Sequence, residues 1–219
     1  PIEQDYDTAI TAPDNPTKEG YAFIDWDTTV PAKMPARDMT IKALWKDIEK
    51  PTGKISLDTN EWKTLLNTIT FGLFFKDDVH VKLTATDEAS GVKSVMYFKS
   101  DRILTDEEVR AITDWTDNSD FDIEAKDMDK FVIYVRIEDN AGNVTLIGSD
   151  GATFDTTAPE IVGVENDKTY YVTKKVAIDD ENLASVTLNG ETVEDVFTLV
   201  GDKDATYVIR TEDKAGNVT

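Results

Sequence analysis

Acidic side chains are the residues of this sequence that could hold a metal ion. One loop, DWTDNSDFD, carries four of them: Asp114, Asp117, Asp120 and Asp122. Carboxylate oxygens are preferred ligands of Ca²⁺, which makes the loop a weak candidate for a calcium site. The spacing is not that of an EF-hand, because no glycine follows at the turn and no glutamate closes the loop. A solvated acidic loop is the simpler interpretation, and no other cofactor is indicated.

Two further acidic groups occupy equivalent loops of a repeat described below. Asp87 and Glu88 belong to TDEASG, and the corresponding loop near the end of the chain holds Asp179, Asp180 and Glu181. Loops at the ends of β-sandwiches commonly carry binding residues, so these acids could pair with an adjacent domain through a cation. Capping of the turns by the same carboxylates is again the simpler interpretation.

Aromatic residues form the other group that could recognise a ligand. Trp62, Phe71, Phe74 and Phe75 lie in EWKTLLNTITFGLFFKDD. Phe71 and Phe75 share one face of a strand, which favours core packing. Phe74 falls on the opposite face, and Trp115 lies in the acidic loop. These two are the candidates for contact with a sugar or a protein partner, although single exposed aromatic residues are common.

The sequence offers little that could catalyse a reaction. It has no cysteine and one histidine, His80, which lies in a strand pattern. It contains no G-x-S-x-G, no H-E-x-x-H and no P-loop. Pairs of carboxylates are abundant in any acidic chain and do not by themselves indicate a glycosidase. We therefore expect a protein that is not an enzyme.

Composition narrows the possible partners. Among 219 residues, 44 are Asp or Glu and 23 are Lys or Arg, which gives a net charge of -21. Such a chain repels nucleic acid and anionic membranes. A hydrophobic content of 40% supports packed cores, and no apolar run is long enough for a membrane helix. The first residues do not resemble a signal peptide, and the chain ends inside a predicted strand pair, so we expect a segment of a longer protein.

An internal repeat organises the chain. YVRIEDNAGNVT at 134–145 recurs as VIRTEDKAGNVT at 208–219, offset by 74 residues. Upstream, the segment 81–95 loosely parallels the segment 174–186. Because the same elements appear twice in the same order, the sequence predicts two tandem copies of one domain type.

Prolines mark the joints between the predicted domains. Pro51 in EKPTGKISL and Pro159 in DTTAPEIVGV each precede an apolar alternation. Proline fixes its own φ and favours extended geometry before it, so these joints are predicted to be short and semi-rigid. The predicted units are 1–48, 51–155 and 156–219.

Short strands dominate the predicted elements. They are expected near residues 55–57, 71–75, 79–86, 92–99, 131–138, 144–147, 160–164, 174–178, 185–188, 191–193, 196–199 and 206–212. A helix is expected at 105–113, where Thr105 and Glu108 form a capping box. Asn189 and Gly190 predict a two-residue hairpin. This pattern is typical of antiparallel β-sandwiches, the middle one with a short inserted helix.

The repeated Asp-x-Ala-Gly-Asn motif has a mechanical interpretation. The aspartate begins a type I turn, the glycine adopts left-handed geometry as a bulge, and the asparagine begins the return strand. The residues concerned are Asp139, Gly142, Asn143, Asp213, Gly216 and Asn217. A structural turn explains them more simply than a cation or ligand site.

Residues 6–46 resemble the internalin-type B-repeat, or Listeria–Bacteroides repeat, family. The resemblance lies in PTKEGY at 16–21, Trp26, MPA at 34–36 and MTIKALW at 39–45. It implies a small β-grasp-like module of a bacterial surface protein, here truncated before its first strands.

Residues 51–219 resemble bacterial immunoglobulin-like surface domains, through the D-x-A-G-N-V-T corners and the DTTAPEI joint. The resemblance implies a setting in large exported proteins of Gram-positive bacteria, including adhesins and secreted glycosidases or proteases. Some domains of this general kind form Lys–Asn isopeptide bonds. Whether Lys82 or Lys175 faces Asn143 or Asn217 is left open by the sequence.

Together these features predict a non-catalytic stalk or spacer of an extracellular bacterial protein, on the cell surface or secreted. Its expected partners are neighbouring domains of the same chain, with no nucleic acid and no membrane insertion. The alternative is an adhesin or accessory module that binds a host glycan or glycoprotein, attached to an exported glycosidase or protease.

Overall fold

The computed structural model describes residues 1–58, 60–62, 69–201 and 204–219, except for the side chains of 60–62. The first module contains an antiparallel pair, β1 (Tyr21–Trp26) and β2 (Ala43–Asp47). Aromatic rings pack within it: the ring of Phe23 lies 5.3 Å from that of Trp26 and 5.9 Å from that of Trp45, edge to face. The β-grasp-like assignment of this module stays a prediction.

Residues 51–155, the predicted middle domain, contain nine strands and one helix among the described residues. They are β3 (Thr52–Leu57), β4 (Asn60–Trp62), β5 (Leu73–Phe75), β6 (Val79–Thr86), β7 (Val92–Ser100), α1 (Asp106–Ala111), β8 (Asp120–Ile123), β9 (Lys130–Asp139), β10 (Val144–Gly148) and β11 (Ala152–Phe154). One sheet has the order β4-β3-β6-β8. The other has the order β10-β9-β11-β5, and β7 also pairs with β9. The mainly β sandwich fold is therefore confirmed.

Strand alternation builds the core between these two sheets. Val79, Val81 and Leu83 of β6 are buried, while the residues between them face solvent. From the other sheet, Ile133 and Ile137 of β9 join the same cluster. This is the period of two that a half-buried strand requires.

The other face of β9 is covered by the inserted helical segment. Tyr134 is fully buried beside Leu104 and Val109, and its hydroxyl oxygen accepts a hydrogen bond of 2.7 Å from the backbone N–H of Leu104. The helix begins at the predicted capping box. The backbone N–H of Glu108 donates to the Thr105 side chain, and the Glu108 carboxylate accepts from the Thr105 N–H. Both faces of β9 are thus buried.

Residues 156–219, the predicted last domain, form two three-stranded sheets. Its strands are β12 (Glu160–Val162), β13 (Lys174–Asp179), β14 (Leu183–Leu188), β15 (Glu191–Thr192), β16 (Val196–Leu199) and β17 (Ile209–Asp213). The sheets are β12-β13-β16 and β15-β14-β17, and Val176, Val186 and Leu199 lie in the core between them. Asn189 and Gly190 have φ of 53° and 86°, as the predicted hairpin turn requires.

Besides shifts of a few residues at element ends, two details of residues 51–219 differ from the sequence-based expectation. The short strands β4, β8 and β11 were not predicted. In addition, β11 pairs with β5 in parallel, with Ala152 opposite Leu73, so the middle sandwich is not purely antiparallel. β10 and β11 pair with successive segments of β9, and β5 pairs with β11.

Candidate functional site

The predicted acidic loop does not gather its four carboxylates. Asp114 and Asp117 are exposed before β8, while Asp120 and Asp122 lie on β8 beside His80 of β6. The Asp122 carboxylate is 2.8 Å from His80 Nδ1, and Asp120 is 3.4 Å from Nε2. The hydrogen bond with Asp122 raises the pKa of His80, and the nearby negative charges add to the effect. Calcium binding by this loop stays a prediction.

The two candidate aromatic residues have partners within the chain. The ammonium group of Lys214 lies 5.2 Å from the ring of Phe74, which places Phe74 against the corner of the last domain. Trp115 is half-buried against the cluster around Tyr134, and its indole N–H donates to the Ile112 carbonyl at 2.9 Å. The side chain of Trp62 lies outside the described residues. Phe74 is thus a contact between domains, and Trp115 packs onto the core.

Carboxylates converge instead at the two joints. At the first joint, residues 47–51, oxygen atoms of Asp47, Asp87 and Asp139 all lie within 4.8 Å of one another. At the second joint, residues 155–159, the same holds for oxygen atoms of Asp155, Asp180 and Asp213. We call these groups the first and second triads. Both are candidate metal centres, because each presents three convergent carboxylates.

Equivalent elements supply the members of each triad. In the first, Asp47 ends β2, Asp87 follows β6 and Asp139 ends β9. In the second triad, Asp155 follows β11, Asp180 follows β13 and Asp213 ends β17. One member of each triad therefore comes from the unit before the joint and two from the domain after it.

The Asp-x-Ala-Gly-Asn corner of the middle domain makes the hydrogen bonds that connect Asp139 to the end of β2. Gly142 has a φ of 90°, and its N–H donates to the Asp139 carbonyl at 3.3 Å. The Asn143 N–H donates to Asp139 Oδ1 at 2.8 Å, and the Asn143 Nδ2 donates to Asp139 Oδ2 at 2.7 Å. The same Nδ2 also donates to the backbone carbonyl of Asp47 at 3.2 Å. The corner amide thus ties a turn of the middle domain to the end of β2.

The last domain repeats this arrangement. Gly216 has a φ of 85°. The Asn217 N–H donates to Asp213 Oδ1 at 2.9 Å, and its Nδ2 donates to Asp213 Oδ2 at 2.7 Å. The Nδ2 also donates to the Asp155 carbonyl at 2.7 Å. The two joints are built by the same hydrogen bonds.

The triads concentrate negative charge where little water reaches it. Asp47 and Asp139 are buried in the first triad, as are Asp155 and Asp213 in the second. Burial raises the pKa of Asp139, but the hydrogen bonds from Asn143 and from the corner backbone outweigh it and leave that pKa below its usual value.

In the second triad, desolvation raises the pKa of Asp180, and the neighbouring carboxylates raise it further against a hydrogen bond from Asn182. The carboxylates of the second triad thus repel one another, and a cation would relieve this repulsion.

The triads differ in the hydrogen bonds given to their first member. Asp47 Oδ1 accepts from the N–H of Glu49 at 2.9 Å, whereas its Oδ2 is buried without any donor among the described residues. In the second triad, the Asn182 Nδ2 donates to Asp155 Oδ2 at 2.8 Å.

The predictions from sequence named only part of these sites. Asp87 and Asp180 were considered for a cation shared with an adjacent domain, and Asp139 and Asp213 were assigned to turns. Asp47 and Asp155 were not recognised. A signal for them exists, because both stand four residues before the joint proline, as D-x-x-x-P.

Isopeptide bonds gain no support from the structure. Lys82 and Lys175 are exposed on β6 and β13. The side-chain amides of Asn143 and Asn217 are engaged in the joint hydrogen bonds.

Within the part of the chain that is described, no helix is long and apolar enough to cross a membrane.

Comparison with known proteins identifies structural neighbours but no sequence family. No family model and no curated protein matches the sequence.

One structural neighbour is the Bacteroides ovatus mixed-linkage glucan utilization locus SGBP-B in complex with a mixed-linkage heptasaccharide. It has 15% identity and a TM-score of 0.32, and the match covers 78% of this chain and 46% of that one. Another is the fibronectin(III)-like modules of Clostridium thermocellum CbhA, at 10% identity and a TM-score of 0.33, covering 75% of this chain and 88% of that one. The chain thus spans less than half of the first neighbour. At these values the similarities assign no ligand or activity to it, and the internalin-type resemblance stays a prediction.

Proposed function

We propose that this chain is a non-catalytic spacer of an extracellular bacterial protein, either displayed on the cell surface or secreted. Its role is to hold neighbouring domains of the same chain at a fixed distance and orientation. The observation that carries this proposal is the repeated joint, in which the side-chain amide of a corner asparagine donates to the backbone carbonyl of the aspartate that begins the joint.

The joints have features of stiff connections. Asn143 and Asn217 reach back to the preceding unit through single hydrogen bonds of 3.2 Å and 2.7 Å. Pro51 and Pro159, which fix the backbone of each connection, are both buried. At the second joint, Lys76 adds a hydrogen bond of 3.3 Å from its ammonium group to the Gly216 carbonyl. A fixed backbone and contacts on both sides limit bending.

Exposed area also supports an extended shape. The described chain exposes 14082 Å², whereas a compact monomer of this size exposes about 10,000 Å². A net charge of -21 opposes collapse of the units onto one another and onto other acidic surfaces.

Small-angle X-ray scattering of the full chain tests the spacer role. A compact protein of this length has a radius of gyration of about 17 Å. We expect a clearly larger value, which is independent of protein concentration. The Asn143→Ala variant should broaden the distribution of interatomic distances, because its first joint loses the bridging amide. A value near that of a compact sphere would contradict the proposal.

A second candidate is a glycan-binding accessory module. Its specific support is a shallow groove of about 240 Å³ in the middle domain. The rings of Tyr97 and Phe121 are stacked there at 4.0 Å, and Lys99, Asp122 and Asp129 border them. Ligand sites commonly combine aromatic side chains with a few polar groups.

A glycan array tests this second candidate. We expect binding that the Phe121→Ala variant loses while it keeps the fold by circular dichroism. No binding by the folded wild-type chain would leave the spacer role as the better explanation.

A further inference from the structure

We propose that the first triad, formed by Asp47, Asp87 and Asp139, binds a calcium ion at the joint between the first module and the middle domain. The proposed site rests on the three carboxylates, so it does not depend on the spacer role.

The unsatisfied oxygen of Asp47 points to a missing positive partner. Asp47 is 5% exposed, and its Oδ2 has no hydrogen-bond donor among the residues that the structure describes. A buried carboxylate oxygen normally has a donor, because leaving it unpaired is costly. Here the nearest charged groups of the same cluster are two further carboxylates. A divalent cation satisfies this oxygen and neutralises its neighbours.

The spacing of the oxygens suits calcium. No two of the three carboxylate oxygens are more than 4.8 Å apart. Two ligands on opposite sides of one Ca²⁺ are separated by about 4.6 to 5.2 Å, which is twice the usual calcium–oxygen distance. A single ion therefore contacts all three carboxylates with little movement. Calcium accepts irregular geometry with water in the remaining positions, whereas Mg²⁺ requires a tighter octahedron.

The hydrogen bonds around the triad position the carboxylates for a ligand. The N–H groups of Ser90 and Gly91 donate to Asp87 Oδ1 at 2.8 Å and 2.7 Å. Asn143 fixes both oxygens of Asp139 at 2.8 Å and 2.7 Å. These donors fix the orientation of two ligands before any ion arrives, which lowers the entropic cost of binding.

The second triad provides an internal comparison. There the side chain of Asn182 donates to Asp155 Oδ2 at 2.8 Å. Asn182 stands two residues after Asp180, and the residue two after Asp87 is Ala89, which has no donor in its side chain. This single difference accounts for the satisfied oxygen at the second joint and the unsatisfied one at the first. We therefore expect the first triad to bind calcium more tightly.

Isothermal titration of the full chain with CaCl₂, after removal of divalent ions, tests the site. We expect wild-type protein to bind calcium with a dissociation constant of about 10⁻⁴ M or tighter. The Asp87→Asn variant keeps the side-chain acceptor for Ser90 and removes one charge, so it should weaken calcium binding at the first triad at least tenfold. The matched control is Asp117→Asn in the exposed acidic loop, which should leave binding unchanged. Urea unfolding without calcium verifies that both variants fold.

Adding an asparagine at the first joint and removing one from the second distinguishes the two sites. Ala89→Asn should supply the missing donor to Asp47 and weaken calcium binding at the first triad. Asn182→Ala should strengthen calcium binding at the second triad. The site is refuted if the folded wild-type chain binds no calcium up to about 10 mM, well above the range of extracellular modules. It is also refuted if Asp117→Asn abolishes binding while Asp87→Asn does not. Equal affinity for Mg²⁺ would overturn the assignment to calcium.

Discussion

Replacement of Asn143 by alanine tests how firmly the corner amide holds the first joint. The Asn143 Nδ2 donates to the buried carboxylate of Asp139 at 2.7 Å and to the Asp47 carbonyl at 3.2 Å. Alanine removes both hydrogen bonds but keeps the backbone N–H that donates to Asp139 Oδ1. The turn should therefore still form, with a less stable domain and a looser joint.

The cost follows from the two lost donors. A net hydrogen bond contributes about 0.5 to 1.5 kcal/mol, and one to a charged group contributes about 1.5 to 3 kcal/mol. The bond to the carbonyl is long, so its share lies at the lower end. The Asn143→Ala variant should thus lose about 2 to 4 kcal/mol from the free energy of unfolding of the middle domain.

Urea unfolding followed by tryptophan fluorescence measures this loss. Trp115 packs onto the core of the middle domain, and residues 156–219 contain no tryptophan, so the signal reports on the first two units and not on the last. The matched control is Asn217→Ala, which removes the equivalent amide from the last domain and should leave the urea midpoint of this transition unchanged. A loss below about 0.5 kcal/mol, the range of ordinary surface substitutions, would refute the reasoning.

Three further predictions concern single groups. Gly142→Ala should lower the free energy of unfolding, measured with urea, by about 1 to 2 kcal/mol. The φ of Gly142 is 90° and an added Cβ meets no atom within 4 Å, so backbone strain is the cause. An unchanged midpoint would contradict this. Tyr134→Phe should lower the free energy of unfolding by about 1 to 3 kcal/mol in the same assay, since the buried N–H of Leu104 loses its acceptor. A variant as stable as the wild type would contradict this and show that another acceptor replaces the hydroxyl. The hydrogen bond with Asp122 raises the pKa of His80, so its stabilising contribution is complete below the unfolded value of about 6.5 and is lost as the pH rises through the higher folded value. Urea midpoints measured across this range should show a difference between wild type and His80→Gln that shrinks as the pH rises, and a constant difference would refute it.

Strands with strict alternation could be predicted from the sequence. β6 alternates buried and exposed residues over its length, and the helix at Asp106–Ala111 follows a recognisable capping box. By contrast, β11 is only three residues long and buried throughout, so no alternation distinguishes it from a loop. Its pairing depends on partners far away in the chain.

The candidate site could be predicted only in part because its members come from separate segments. Asp139 has a complete local explanation as a turn residue, which hides its second role. Asp47 and Asp87 are brought together by packing of one unit against the next, which no local pattern encodes. Phe74 shows the same limitation, since its strand position predicted exposure but Lys214 of the following domain lies over its ring.

The acceptor that each corner asparagine uses is a backbone carbonyl, at Asp47 in one case and at Asp155 in the other. Every residue type carries such a carbonyl, so this hydrogen bond by itself does not depend on the side chain of the residue that accepts it. The corner hydrogen bond would therefore form with any residue at the end of the preceding unit, whereas the carboxylate triad requires an aspartate there.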